Sequence, residues 1–352
     1  MIKKVYPKNL EKFFEESFKR LKILRRIYVP VIEGLINTSL RGVDSHGIRL
    51  FPHYVKEVLS GRINKNPKFR FKKKSRSVGF IDADNTFGIT ASVVAMNKAI
   101  SLAKKTGVGF VAVKNSSHFG AAGIYSLIAA KKDMIGLCGT HTESLVVPPK
   151  GKLPFLGTNP IAFAAPCEGE EPYCLDMSTS TVSFNKIRQH KERAESLEGG
   201  WAVDQEGNSC IDPKKEIYLT PFGGYKGFGI ATMIEILCSI LTGMNFGPKI
   251  TPMFSKLNKK RGLGHFFIAI DISKFQEISI FKKRLKEMIF LLREIPSSRD
   301  SGKTIVANDL EKEIFKMRIK KGIPLSKVDL EKFEEISKLL KVNKNLLENY
   351  KN

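Results

Sequence analysis

Residues Val108 to Gly139 read VGFVAVKNSSHFGAAGIYSLIAAKKDMIGLCG, and this stretch decides the fold. An apolar, β-branched run (Val108–Val113) is followed by a polar junction, Asn115-Ser116-Ser117-His118-Phe119-Gly120. A helical run (Gly123–Lys132) and a second apolar run (Met134–Gly139) come next. The period switches from that of a strand to that of a helix and back, which predicts a strand–helix–strand unit. Further strand-like runs lie at Val78–Ile81, Ile161–Ala164 and Phe266–Asp271, with helical runs at Ala91–Lys105 and Gly229–Thr242. Strands alternating with helices predict an α/β domain over residues 76–273. On its N-terminal side Leu10, Phe13, Phe14, Phe18 and Leu21 share one helical face, and Val31–Leu40 and Tyr54–Leu59 read as further helices. From Phe275 to Asn352 the pattern is again helical and charged, broken by Pro, Ser and Gly between Ile295 and Lys303. Residues 1–75 and 274–352 are therefore expected to pack together as one helical domain built from both chain ends.

The 352 residues are 42% hydrophobic and 27% charged, the composition of an ordinary globular protein. Lys and Arg exceed Asp and Glu by 59 to 35, a net charge of +24. The excess is spread from Lys3 to Lys351, and no zinc finger or aromatic-interleaved basic stripe accompanies it. No nucleic-acid partner is expected; such a field also draws in anionic small molecules. The five cysteines are scattered and lack a C-x-x-C pair, which fits reduced thiols and no metal site. Phe228–Met244 is the longest apolar stretch, but Glu235 interrupts it, so a buried helix is expected rather than a membrane span. Met1–Glu16 is basic and amphipathic without the apolar core of a secretory leader, so the expected location is cytoplasmic.

No G-x-G-x-x-G follows a strand, so the usual dinucleotide fingerprint is missing. Polar, Gly-rich junctions stand at the ends of the apolar runs instead, where ligands usually sit. They are Asp44–Gly47, Asn115–Gly120, Leu156–Pro160, Asp176–Ser180 and Gly223–Gly229. A lone histidine at a strand end is more often structural than catalytic. His118 follows its strand directly, among Asn115, Ser116, Ser117 and Gly120, and an imidazole can accept an alcohol proton as hydride leaves carbon. His46 has a similar Gly-flanked setting. Lys226 is either a solvated loop lysine or a cation for a phosphate or carboxylate. Asp176 either caps a turn or accepts from ribose hydroxyls.

Taken together, these junctions resemble the malate/L-lactate dehydrogenase family that is distinct from the Rossmann-fold dehydrogenases. The matching segments run in order: RGVDSHG (Arg41–Gly47), IDADNTFG (Ile81–Gly88), NSSHFGAAG (Asn115–Gly123), LGTNPIAFAAP (Leu156–Pro166), LDMSTS (Leu175–Ser180), GWAVDQEGN (Gly200–Asn208), GGYKGFGIATMIEIL (Gly223–Leu237) and GHFFIAID (Gly264–Asp271). The resemblance implies an α/β, non-Rossmann nucleotide-binding domain with a mixed sheet, a helical domain made by both chain ends, and a homodimer. It implies a hydride exchange between NAD or NADP and a small 2-hydroxy or 2-oxo acid. His118 would be the general acid/base, with Ser45, His46, Arg49 and Tyr54 on the substrate side. Phe119, Gly120, Ala121, Thr142, Asp176, Met177, Ser178 and Lys226 would bind the cofactor. NAD is expected over NADP, because Asp176 beside a ribose would repel a 2′-phosphate.

Departures from the family concern the substrate. The expected carboxylate-binding arginine falls at Leu50, with Arg49 one position earlier, a rotation of about 100° on a helix. Arg41 is the alternative clamp. Ser183-Phe184-Asn185-Lys186 replaces A-x-G-K, Ala307-Asn308-Asp309 replaces a P-G-E-like loop, and His141 stands where relatives often carry Asn. Two other functions follow from the same residues: an NADPH-dependent cyclic imine reductase, or a catalytically silent relative. The presence of His118, Asp176 and Lys226 argues against silence.

Overall fold

The computed structural model describes residues 3–298 and 302–347. The chain opens with β1 (Lys3–Val5), α1 (Pro7–Arg20), α2 (Arg25–Leu40) and α3 (Phe51–Leu59). Next come β2 (Arg70–Lys73), β3 (Val78–Asp82), α4 (Gly88–Thr106), β4 (Val108–Ser116), α5 (Gly123–Ala130), β5 (Met134–Thr140), β6 (Ile161–Ala165) and β7 (Tyr173–Met177). They are followed by α6 (Phe184–Arg193), β8 (Ala202–Val203), β9 (Tyr218–Leu219), α7 (Tyr225–Glu235) and β10 (Leu263–Asp271). The chain closes with α8 (Ile278–Glu294), α9 (Asp309–Lys321), β11 (Ile323–Leu325) and α10 (Lys327–Leu340). The expected break at Ile295–Lys303 begins where α8 ends; residues 299–301 lie outside the described residues.

A seven-stranded sheet runs in the order β2-β3-β4-β10-β5-β6-β7. Only β3 and β4 pair in parallel, and every other neighbour is antiparallel. This is a mixed sheet, unlike the doubly wound 3-2-1-4-5-6 order. The strand–helix–strand unit predicted from Val108–Gly139 is present, but β10 is wedged between its two strands. Phe267 of β10 faces Val111 of β4 on one side and Cys138 of β5 on the other. β10 is buried on both faces of the sheet, which its nearly continuous apolar sequence LGHFFIAID suits. β2 and β7 were not anticipated: RFKK is a charged edge strand, and YCLDM has one charged residue in its short span.

The two chain ends meet. β1 pairs antiparallel with β11, with Lys3 opposite Leu325 and Val5 opposite Ile323. Beside this ribbon Phe14 of α1 stacks on Phe51 of α3 at 4.0 Å and on Phe333 of α10 at 5.8 Å. Rings so placed gain stacking energy beyond the area they bury. The same core continues through Phe87 into Val111 and Phe267 of the sheet, so helices and sheet share one interior.

The stretch Phe228–Met244, expected to be a buried helix, is buried on one face only. Ala231, Ile234 and Cys238 point inward, whereas Ile230, Met233, Ile236, Ile240 and Leu241 are exposed. The helix widens after Glu235 into a π-helical turn, Ile236–Ile240. Among the described residues no helix is long and apolar enough to cross a membrane. All five cysteines are buried and unpaired with one another.

Candidate active site

At the end of β4 the chain leaves the sheet and runs over the first turn of α4. A Cβ on Gly88, the first residue of α4, would stand 2.3 Å from the Ser117 carbonyl oxygen and 2.4 Å from that of His118. No other residue allows the helix to seat there, and this contact fixes the His118 backbone. The His118 ring then meets α3: Nδ1 lies 2.8 Å from the Tyr54 hydroxyl. His46 stacks beside it, ring centroids 5.6 Å apart and planes 22° from parallel. Ser45 Oγ lies 2.8 Å from His46 Nδ1. Burial holds His118 well below the usual histidine range, helped by His46, Arg261, His53 and His265, and burial lowers His46 as well. His118 is thus neutral at neutral pH and able to accept a proton. With Nδ1 facing Tyr54, Nε2 is the nitrogen left for a substrate. For Nε2 to act as a base, Nδ1 carries the ring hydrogen and donates it to the Tyr54 oxygen.

The opposite chain end braces this wall. Arg318 of α9 donates to both carboxylate oxygens of Asp44, at 2.6 and 2.9 Å, which anchors the Asp44–Gly47 loop. Arg49 Nε lies 3.1 Å from Asp329 Oδ2 on α10, and Leu50, beside it in a short 3₁₀ turn, is buried. Arg41 is committed elsewhere, donating to Glu171 Oε2 at 2.7 Å and to Asn308 Oδ1 at 3.4 Å. Arg41 and Arg49, each in an ion pair, border the cleft together with Lys56 and Lys332.

On the other wall Asp176 ends β7 and faces the start of α5, where Gly123 N–H donates to Oδ2 at 2.7 Å. A Cβ on Gly123 would meet that oxygen at 3.0 Å. Desolvation by the cleft walls pushes the Asp176 carboxyl up to about 6, and because the residue is exposed to the cleft, solvent screens part of that effect. Thr142 N–H donates to Asn159 Oδ1 at 3.1 Å, and Asn159 Nδ2 donates to buried Glu235 Oε2 at 2.8 Å. His141 joins this network: Nε2 accepts from Gly264 N–H at 2.9 Å, and Nδ1 lies 3.4 Å from Glu235 Oε1. His141 is thus a structural group behind Thr142.

A single cleft of about 2170 Å³ joins the two walls. Ser45, His46, Arg49 and His118 line it together with Gly120, Ala121, Thr142, Asp176, Met177 and Ser178. Tyr54 and Phe119 are fully buried behind its surface, and the Tyr125 hydroxyl donates to the Phe119 carbonyl. Lys226 is exposed at the start of α7 and does not border the cleft of its own chain. Phe184 and the Ala307–Asn308 turn border it, whereas Asp309 is held by Arg293. The cleft exceeds the roughly 300–1,000 Å³ of a drug-sized pocket and suits a dinucleotide beside a small acid. Gly120, at φ 74°, holds a backbone conformation in the cleft wall that glycine adopts at no steric cost.

Several residues of this site left no trace in the sequence reading. Glu143 lines the cleft, accepts from Met253 N–H at 3.0 Å and pairs with buried Arg261. Arg62 clamps the loop that carries Met253 and Phe254 into the cleft, through the carbonyls of Met253, Ser255, Lys256 and Lys259. These partners are more than a hundred residues apart, and no local motif links them.

The model of the family described as malate/L-lactate dehydrogenase matches residues 5–334. The chain is 39% identical over 339 residues to a malate/(S)-sulfolactate dehydrogenase of Methanothermus fervidus, covering 93% of this chain and 97% of the other. It is 36% identical over 335 residues to a malate dehydrogenase of Pyrococcus abyssi, covering 90% and 91%. Its fold superimposes on the crystal structure of malate dehydrogenase from Entamoeba histolytica with a TM-score of 0.92, at 32% identity, over 97% of this chain and 99% of that one. With the family model spanning nearly the whole chain and relatives this similar along their full length, this chain belongs to the malate/L-lactate dehydrogenase family.

Proposed function

We propose that the protein is an NAD(P)-dependent oxidoreductase that transfers a hydride between the nicotinamide and a small 2-hydroxy or 2-oxo acid. The observation that carries this reading is a desolvated His118, neutral and backed by Tyr54, in a cleft that also holds Asp176 and Thr142. The bound cofactor supplies the hydride acceptor or donor. The protein's own residues do the rest. Arg49 holds the acid's carboxylate from the His46 side, and His46, fixed by Ser45, orients it. His118 Nε2 takes the hydroxyl proton on oxidation, and the Tyr54 oxygen accepts from Nδ1–H and steadies the imidazolium that forms. Gly120, Ala121 and Phe119 shape the nicotinamide side, while Thr142, Asp176, Met177 and Ser178 bind the rest of the cofactor.

The relatives named for malate and sulfolactate support an acid with a second anionic group, and Lys56 and Lys332 also border the cleft. An ionised Asp176 favours NAD over NADP by repelling a 2′-phosphate. The exposed apolar face of α7 supports a homodimer, in which Lys226 at the head of that face would serve the cofactor of the second copy. Buried, unpaired thiols suit the cytoplasm. The test is a panel of pyruvate, oxaloacetate, sulfopyruvate, ketopantoate and cyclic imines with NADH and NADPH, read by loss of reduced-cofactor absorbance. Turnover of a 2-oxo acid is expected; turnover confined to cyclic imines would overturn the reading.

A further inference from the structure

His265, near the start of β10, is completely buried and has no part in the chemistry described so far. Its ring is held on three sides. Nε2 lies 2.8 Å from the hydroxyl of Ser116, the last residue of β4. Nδ1 lies 2.7 Å from the hydroxyl of Thr140, the last residue of β5. The ring face stacks on Phe119, centroids 4.9 Å apart and planes 25° from parallel. A neutral imidazole has one donor and one acceptor, and both are engaged here. With the Ser116 hydroxyl donating to Nε2, Nδ1–H donates to Thr140 Oγ1, whose own hydrogen reaches the His141 or Gly264 carbonyl at 3.2 or 3.3 Å. Burial pushes this imidazole down to about 3, so it stays neutral and does not compete with His118 for a proton.

The three contacts bracket the reacting groups. Ser116 precedes His118 by two residues and Phe119 follows it directly, so both ends of the turn that carries His118 rest on one ring. The third contact reaches the other wall, since Thr140 stands two residues before Thr142. β10 separates β4 from β5, and two strand spacings amount to roughly 10 Å. The ladder is irregular at this end, where the register of β10 on β4 shifts between Leu263 and His265. Backbone pairing is thus weakest where the two walls diverge, and the His265 ring spans the gap with side-chain bonds. A phenylalanine would fill the same space without desolvating two ring nitrogens.

We propose that His265 is a positioning residue for the hydride transfer, a clamp behind the cleft that holds the His118 turn and the Thr142 wall at a fixed separation. Ser116 is its arm toward His118, and Thr140 is its arm toward the cofactor.

The inference rests on the proposed roles of His118 and Thr142, and its test separates its failure from theirs. Asparagine places a polar atom near the position of Nδ1 and glutamine near that of Nε2. H265N therefore keeps the Thr140 arm and H265Q the Ser116 arm. Two quantities are measured in wild type, H265N, H265Q, S116A, T140V and H118A: kcat on the best 2-oxo acid of the panel, and reduced-cofactor Kd by nicotinamide fluorescence. H265N and S116A should lower kcat about tenfold and raise Kd less than about twofold. H265Q and T140V should raise Kd about tenfold and lower kcat less than about threefold. The double variant H265N/S116A should match its single variants, because both cut the same bond. Loss of packing alone would move kcat and Kd together in all four variants, or move only the thermal midpoint. Either result, or additive losses in the double variant, would overturn the proposal. Near wild-type kcat in H118A, with the split intact in the other variants, upholds the clamp and refutes His118 as the proton-transferring group. Should the His265 variants fail to fold, S116A and T140V leave the ring in place and decide by their split.

Discussion

Replacing Arg62 by methionine removes the most connected buried charge of the protein while keeping the volume of its stem. The Arg62 side chain has 0% exposure, as does its partner Glu57, and the two meet at 3.0 Å. The other donors of Arg62 go to the carbonyls of Met253 (2.7 Å), Ser255 (2.6 Å), Lys256 (2.9 Å) and Lys259 (3.0 Å). Arg62→Met strands those carbonyls and leaves Glu57 a buried charge, with His53 Nε2 at 3.4 Å as its remaining ion-pair partner among the described residues. Breaking a buried ion pair from one side costs about 3–5 kcal/mol, and this figure is the expected loss in urea unfolding at pH 7. The loop also brings Met253 and Phe254 to the cleft, so KM for the acid should rise about tenfold in protein that remains folded. Arg62→Met combined with Glu57→Gln should be more stable than Arg62→Met alone, because the stranded charge is gone. A single-variant loss below about 1 kcal/mol, or a double variant that loses more than the single, would refute this reasoning.

Tyr54→Phe removes the partner of His118 Nδ1 and should lower kcat by about 10- to 100-fold with little change in cofactor affinity, read in steady-state kinetics. Gly88→Ala drives a methyl group into the Ser117 and His118 carbonyls and should lower both kcat and thermal stability, whereas a variant with unchanged kcat would show that the α4 contact does not fix His118. The Asp176 carboxyl is raised in the folded state, so ionising it opposes folding. The cost is absent below its unfolded value near 4 and reached above about 6, and it is small because Asp176 is exposed to the cleft. Asp176→Asn should therefore flatten the loss of stability of the cofactor-free protein as pH rises through that window, measured by denaturation at pH 4 and pH 7.

The parts of this fold that the sequence made legible are those where one face meets one environment. Phe13, Phe14 and Phe18 recur at helical spacing because α1 turns a single face to the core, and all three are fully buried. β4 and β5 read as strands because both are flanked and apolar. β2 escaped notice because an edge strand can be as polar as RFKK. Nor did periodicity indicate that β10, more than a hundred residues downstream, enters between β4 and β5. In the site, His118 and His46 stood out through their Gly- and Ser-rich junctions. Glu143–Arg261 and Arg62 with its loop carbonyls did not, since such partners share no spacing. Tyr54 and Phe119 act from behind the cleft surface, a depth the sequence does not encode locally. The apolar run through α7 looked like core because hydropathy does not distinguish an interior face from an exposed one.

Turnover of His118→Ala on the best 2-oxo acid from the panel, at saturating reduced cofactor, tests whether His118 moves the substrate proton. Loss of a general acid/base typically costs about 10²–10⁴ in rate, and kcat should fall by that factor while cofactor Kd, measured by nicotinamide fluorescence, stays within about twofold. A folded His118→Ala enzyme with near wild-type kcat would rule out His118 as the proton-transferring group and pass that role to His46.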